Sequence, residues 1–519
     1  WRASSFPPNV LHSMMRRKSL SYEQHSAEHD DGEHHHSLHR TLTAVDLMLY
    51  GVGCSVGAGI YCLVGIGAQL AGPAISLSFA ICGSACIFTS LAYAEFAARI
   101  PLTGSAYVYA YVAFGEYWGW LVGWFLTLGY GFTASVVARS WGDYVASFAR
   151  GVTGWSLASL TNFPVRGGYT CSPLSTVIVA LCTWVLVSGA KESSRFNNLM
   201  TVLNISVLLF VVFAGSSLVE MDNLTPFAPQ GIQGIAQGAG LVFFAFIGFD
   251  MVACLSEEVV QPEINMPIGI VGSLIISATI YVLVSLVVIG MAPIDLLGDK
   301  VPIVNALLAN ACCTHSQQVE SNAAMECLSQ TCTPVLHKVL AFGGRFVSFG
   351  AIFGLTTGTF TSLMGQPRIF YRMAQDGLLF EIFGIVNPNT RVPTGGILIT
   401  GVISSLLACF IELESLANMI SLGTLMVFTF VDAGVIILRW SPSTDTTSAS
   451  RYDESDDEMD GINGSHVASL PPPHLYDEDG IQSSLQNWLV WFRGHDVKDN
   501  GMKPVVCTLL FTFSSLIAS

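Results

Sequence analysis

The chain has 519 residues, 51% of them hydrophobic and 11% charged, with a mean hydropathy of +0.55 and a formal charge of −15. Soluble domains carry roughly 25% charged residues, so this composition excludes a water-soluble globular protein and assigns the chain to a bilayer. The negative total offers nothing to a nucleic acid.

Residues 1–41 are polar and hold seven of the twelve histidines, around 34-HHH-36. They read as a disordered cytoplasmic tail. No apolar core with a small-residue cleavage site follows, so the first span must act as its own insertion signal. Apolar runs then recur, each long enough for the ~20 residues of a spanning helix. They cover 44–70, 74–98, 104–138, 174–190, 197–218, 233–255, 267–291, 339–366, 394–411 and 415–438. A transmembrane β-barrel would need alternating segments of about ten residues, and these runs are longer and apolar all round. Residues 441–500 carry ten acids and one Arg between Asp445 and Asp479, including 453-DESDDEMD-460, and 471-PPP-473. Too little apolar surface is present there to offset the entropy of ordering. A disordered acidic cytoplasmic linker is expected, with a docked cytoplasmic regulator as the alternative reading. Residues 501–519 begin an eleventh span that stops with the chain at Ser519, and the first residue is Trp1. A chain truncated in its eleventh span is the expectation.

Placing the N-terminus in the cytoplasm puts sixteen Lys and Arg inside and six outside, the direction of the positive-inside rule. Of the thirteen cysteines, Cys312, Cys313, Cys327 and Cys332 share one outer loop and Cys171 lies in another, where disulfides are expected without a sequence basis for pairing. The rest, Cys409 included, fall in spans as small packing residues. No metal or cofactor site is expected: there is no CxxC partnered with histidines, no nucleophile with its base and no phosphate loop in its required context.

The first span contains 51-GVGCSVGAGIYCLVG-65, with five glycines in fifteen residues. Each costs about 1 kcal/mol relative to alanine in a helix, so either close packing, with Gly53, Gly57 and Ala58 as a seam, or a deliberate break must offset them. The sixth span repeats the anomaly in 238-GAGLVFFAFIGFD-250, which also puts Asp250 at membrane depth. Ten spans divide into two sets of five, about 42–218 and 232–440, each opened by a glycine-interrupted helix. An odd number of spans per set makes the second enter from the opposite side. The predicted fold class is therefore all-α integral membrane, a five-plus-five inverted-repeat transporter fold with discontinuous helices 1 and 6. Unwound backbone inside a bilayer implies a cavity. Its two half-helix ends offer free N–H groups and free carbonyls, which match the carboxylate and the ammonium of one free α-amino acid.

Four blocks carry a resemblance: TAVDLMLYGVGCSVGAGIY (43–61), AYAEFAARIPLTGSAYVYAYV (92–112), FFAFIGFDMVACLSEEVVQPEINMPIGI (243–270) and QPRIFYRMAQDGLLF (366–380). Together they resemble the cationic amino acid transporter family of the amino acid, polyamine and organocation superfamily. That resemblance implies a permease for arginine, lysine or ornithine working by alternating access, without cofactor. A neutral amino acid or polyamine transporter, and a non-transporting sensor of the same fold, are the alternatives. Carried over by motif, the backbone of Val56, Gly57, Ala58, Gly59 and Ile60 would hold the α-carboxylate. Carbonyls of Phe244, Ala245, Phe246 and Ile247 would take the α-ammonium, Gly248 would permit the break, and Phe243 or Phe246 would form a lid. Some relatives carry an acid in the third span; 123-GWFLTLGY-130 has Phe125 and Gly129 there instead. Asn204 falls where proton-coupled relatives have a lysine. Asparagine does not titrate, so facilitated diffusion or exchange is implied.

Charged residues at membrane depth usually face the bundle interior. Asp250 is expected to organise the broken helix or meet a basic substrate side chain. Glu95 either pairs with Arg99 or gates. Glu257 and Glu258 end the sixth helix, where its dipole disfavours them; either Arg99, Lys191 or Arg195 answers them as an inner gate, or they are two solvated carboxylates at a helix end. Asp432 either faces the lumen or sits near the inner interface. The plasma membrane is the expected residence, with the vacuolar or lysosomal membrane as the alternative; substrate and lipid are the implied partners.

Overall fold

A computed structural model describes residues 40–440 apart from 101, 103, 162, 165–169, 190–193, 299, 313–333, 388–389 and 391. The expected N-terminal tail, acidic linker, eleventh span and the cysteines at 313, 327 and 332 lie outside the described residues, as does the side chain of Cys312. In chain order the helices are α1 Ala44–Ser55, α2 Ala58–Tyr61, α3 Leu63–Ala71, α4 Ile75–Arg99, α5 Ala106–Phe114, α6 Glu116–Thr153, α7 Ala158–Thr161 and α8 Pro173–Val187. There follow α9 Ser194–Ser216, α10 Gly231–Val242, α11 Pro262–Met291, α12 Ile294–Leu297, α13 Pro302–Cys312, α14 Pro334–Gln375, α15 Thr394–Phe410 and α16 Leu413–Trp440. Among the described residues, the antiparallel ladder of Phe163–Pro164 (β1) with Thr170–Cys171 (β2) and the isolated parallel bridge between Leu42 and Val259 depart from an all-helical chain. The first compact unit runs to Val435, so α16 ends in a second unit that is described only to Trp440.

Among the described residues seven helical runs are long and apolar enough to cross a membrane, and α1, α8 and α15 are shorter apolar helices. The ten expected spans thus divide into these two classes. Two boundaries differ from expectation. Span one is three pieces, because the helix stops at Ser55 and again after Tyr61. Span three, expected over 104–138, is the short α5 and then the 38-residue α6. Gly115, at φ +108, separates them, a conformation that only glycine adopts freely. The helix then continues past Arg139, where hydropathy falls, because the guanidinium has acceptors: its Nε and Nη2 donate to the carbonyls of Ala408 and Cys409, 2.9 Å each, at the end of α15. A buried charge with matched hydrogen bonds need not end a span.

Ala134 and Ala138 of α6, Ile178 and Val179 of α8, Leu363 of α14 and Ile397 of α15 form one buried apolar cluster. On the other side, α11 packs against both α1 and α4. The approach of α1 and α11 is close because a Cβ on Gly51 would lie 2.5 Å from Ser273 Oγ, and one on Gly269 2.5 Å from Leu47 Cβ. Small residues therefore do make close contacts on α1, at Gly51 and at the expected Gly53, where a Cβ would lie 2.5 Å from Thr201 Oγ1 of α9, but not at Gly57.

Candidate functional site

Helix α1 starts with a capping box: Thr43 accepts from the Asp46 N–H while Asp46 accepts from the Thr43 N–H. Asn198 of α9 donates to the other Asp46 oxygen at 2.7 Å. Its far end is not capped but turned. Val56 has φ −79 and ψ 77, and the Gly57 N–H reaches back to the Ser55 carbonyl at 2.9 Å, the geometry of an inverse γ-turn. The single turn α2 follows, and the N–H groups of Ala58, Gly59 and Ile60 open it with no carbonyl behind them in their own turn.

The sixth run breaks more severely and is the most buried of the seven. α10 ends at Val242, Phe243–Phe246 is a 3₁₀ turn, Ile247 is extended, Gly248 stands at φ +143, and Asp250–Glu258 continues as a nine-residue 3₁₀ segment. Runs of 3₁₀ beyond three or four residues are uncommon and mark hinges or strain. Asp250 is hydrogen-bonded into this break. Its Oδ1 accepts from the Gly248 N–H at 3.0 Å and its Oδ2 from the Tyr130 hydroxyl at 2.8 Å, while Ser105 Oγ donates to its main-chain carbonyl at 3.2 Å. Ser105 itself is held at φ +51.

The two breaks touch. A Cβ on Gly59 would lie 2.4 Å from Ala245 Cα, and one on Gly248 2.6 Å from both the N and Oγ of Ser55. No side chain larger than hydrogen fits either contact. Gly57 differs, for a Cβ there would meet only Val137, at 3.8 Å. The Tyr281 hydroxyl of α11 lies 2.6 Å from the Ser55 carbonyl and 2.8 Å from that of Ala245, one from each interrupted helix. Ser55 Oγ is buried with no hydrogen-bond partner. Phe246 is fully buried against Phe79 of α4 and Tyr281, and Phe243 rests on Phe428 of α16. Phe246 is thereby wedged behind the break, which leaves Phe243 as the ring on the α16 side.

Asn204 is buried at the first break. Its amide Nδ2 donates to the Val56 carbonyl at 2.9 Å and its Oδ1 accepts from the Tyr61 hydroxyl; Tyr144 donates in turn to the Tyr61 carbonyl at 2.8 Å. Asn197, Thr201 and Asn204 are all buried, and their spacing of four and three puts them on one face of α9. A Cβ on Gly53 of α1 would lie 2.5 Å from Thr201 Oγ1. Sequence reasoning found Asn204 but missed its two neighbours, although three polar residues at helical spacing in an apolar run were a readable signal. Tyr130 and Tyr281 were missed because a tyrosine in an apolar run reads as packing.

At the end of the bundle bearing the arginines, Glu258 Oε1 meets Arg368 Nη2 of α14 at 3.2 Å, and Arg368 Nη1 donates to the Cys254 carbonyl at 3.3 Å. Arg368 was not among the expected partners of Glu258. Arg99 is engaged one turn away with Glu95 at 2.9 Å on the same helix, Lys191 lies outside the described residues, and so does the side chain of Arg195. The segment before α1 is tied to the same place: the N–H groups of Thr41 and Leu42 both donate to the Glu258 carbonyl, and that of Val260 to the Leu42 carbonyl. Glu257 has interactions of its own. Asp432 is buried on α16 and accepts from Thr89 of α4 at 3.0 Å, so it faces the bundle interior. At the opposite end a cavity of about 450 Å³ opens between Gln69, Asp222, Gln230 and Asp295, and its lining includes no Lys or Arg.

Comparison with known proteins extends this geometry. A sequence profile described as amino acid permease matches residues 42–451. The chain is 34% identical over 481 residues to a vacuolar cationic amino acid transporter of Arabidopsis thaliana, covering 90% of this chain and 75% of that one. It is 36% identical over 420 residues to cationic amino acid transporter 4 of Homo sapiens, covering 79% and 62%. A methylthioribose transporter of Bacillus subtilis is 37% identical over 405 residues, covering 78% and 82%. A match that begins at the capped start of α1 and runs past the end of α16 takes in every described helix, and the chain belongs to the amino acid permease family.

Proposed function

We propose that this chain moves α-amino acids across a membrane by alternating access, with cationic amino acids as its principal substrates. The meeting of the two interrupted helices at Gly59–Ala245 and Gly248–Ser55 is the observation that carries the reading. It gathers unpaired N–H groups from one helix and carbonyls from the other within reach of a single zwitterion. Val56 to Ile60 hold the carboxylate, Phe244 to Ile247 hold the ammonium, and Phe243 covers the substrate. Two five-helix repeats of opposite orientation supply the broken helices, and the N-terminus faces the cytoplasm. The plasma membrane or a vacuolar or lysosomal membrane is the setting. Asp222 and Asp295 line the far mouth, and the described lining there holds no Lys or Arg, which favours a cation at the way in.

One observation favours a neutral substrate as the second reading. The stretch around Phe125 and Gly129 has no carboxylate, and relatives include a branched-chain amino acid permease of Bacillus subtilis, 35% identical over 430 residues. Uptake of labelled arginine, lysine, leucine, spermidine and methylthioribose into vesicles, at fixed pH and membrane potential, separates these readings. Saturable arginine and lysine uptake, each competing with the other, is the expected result. Leucine uptake without arginine uptake selects the neutral reading. Uptake of methylthioribose alone, a substrate with no carboxylate and no ammonium, overturns the zwitterion site.

A further inference from the structure

Cys171 ends the β1–β2 ladder, and Cys409 ends α15 next to Phe410; their sulfurs lie 2.7 Å apart. This proximity is fixed by the backbone around it. The Ser172 N–H donates to the Cys409 carbonyl at 3.0 Å, and the buried Arg139 guanidinium donates to the same carbonyl and to that of Ala408. The ladder pairs Cys171 with Phe163 and so sets it from the other side. Neither thiol takes part in the interrupted helices, and neither was legible as a partner of the other, with 238 residues between them.

We propose that Cys171 and Cys409 form a structural disulfide that staples the hairpin between α6 and α8 to the end of α15. The proposal rests on the orientation given above, which puts this end on the outer or lumenal side, where disulfides persist. Formation is an exchange with the disulfide of a thiol–disulfide oxidoreductase of the secretory compartment. The two thiols lose two protons and two electrons, one S–S bond forms between them, and the oxidoreductase disulfide is reduced to a dithiol. The bond joins elements that already share the apolar cluster of α6, α8, α14 and α15, so it braces the scaffold and leaves the broken helices free. In the reduced chain, burial and the hydrogen bond with Cys409 push the Cys171 thiol up to about 11, which makes it a slow nucleophile when folded. Labelling therefore needs denatured protein.

The full chain is expressed through the secretory pathway, denatured and alkylated without reduction, and its peptides are mapped by mass spectrometry. A Cys171–Cys409 linked peptide that reduction releases is expected, together with alkylated Cys171 in Cys409→Ser. Alkyl groups on both cysteines before reduction, or Cys171 linked to any other cysteine, overturn the proposal. Orientation is read separately with Trp155→Cys, at a residue 75% exposed at the same end of α6, and an impermeant maleimide. Labelling in intact cells, or only once internal membranes are opened as well as the plasma membrane, with both native thiols free, overturns the disulfide alone; labelling once the plasma membrane alone is permeabilised overturns the orientation and the disulfide with it. Arginine uptake per folded molecule in Cys409→Ser is expected to equal wild type, with a lower melting temperature.

Discussion

Gly57 and Gly59 are two residues apart and answer to different constraints. At Gly59 an added methyl would sit 2.4 Å from the Ala245 backbone, whereas at Gly57 the nearest atom is 3.8 Å away. Gly59→Ala is expected to cost about 1–3 kcal/mol through overpacking, seen as a lower melting temperature in detergent and reduced uptake. Gly57→Val should fold normally and lose uptake, because its side chain occupies space that the substrate needs. Wild-type transport by Gly57→Val would remove the carboxylate site from this place. The density of glycines was legible in the sequence, but the division of labour among them was not, because it depends on Ala245 and Val137 approaching from elsewhere in the fold. Asp250 shows the same limit: its burial beside a break was readable, while its partner Tyr130 closes a stretch that draws attention for the carboxylate it lacks.

At the scale of elements, the interruptions are written locally and the ion pair at the end of the sixth run is not. Gly248 at φ +143 and the extended Ile247 follow from residues adjacent in sequence. The partner of Glu258 comes from α14, 110 residues away, and none of the three basic residues expected there was Arg368. Both side chains of the Glu258–Arg368 pair are about a quarter exposed, so the pair is worth at most about 1 kcal/mol after solvent screening. That is enough to move a two-state equilibrium by up to about fivefold. Arg368→Ala is expected to raise the rate at which a thiol reagent reaches Cys254 from the cytoplasmic face by that factor or less. Unchanged accessibility would show that the pair is not a latch, and that the backbone bonds of Thr41 and Leu42 to Glu258 and of Val260 to Leu42 close this end.

Energy coupling belongs to the whole molecule. Asn204 spans the first break with one donor and one acceptor, to Val56 and Tyr61, and its amide cannot exchange a proton. Cation uptake should therefore follow membrane potential and ignore a proton gradient. A bias of 100 mV is worth about 2.3 kcal/mol per charge, about fiftyfold in accumulation. Arginine accumulation in vesicles is expected to rise steeply with an inside-negative potential and to stay flat between about pH 6 and pH 8 at clamped potential. Accumulation driven by a pH gradient alone would assign proton coupling to another residue. Membrane residence and helical spans followed from composition because the bilayer imposes them on every residue of a run. The third span's true length did not, because it depends on carbonyls at the end of α15 accepting from Arg139.

The phenol of Tyr281 has a single hydrogen and two claimants, the Ser55 and Ala245 carbonyls. Any slide of one interrupted helix past the other must award that hydrogen to one of them and strand the other. A tyrosine on a third, unbroken helix is thus a toggle whose setting records how the two segments stand. On the proposed site, a phenol committed to Ser55 leaves the Ala245 oxygen free for the substrate ammonium.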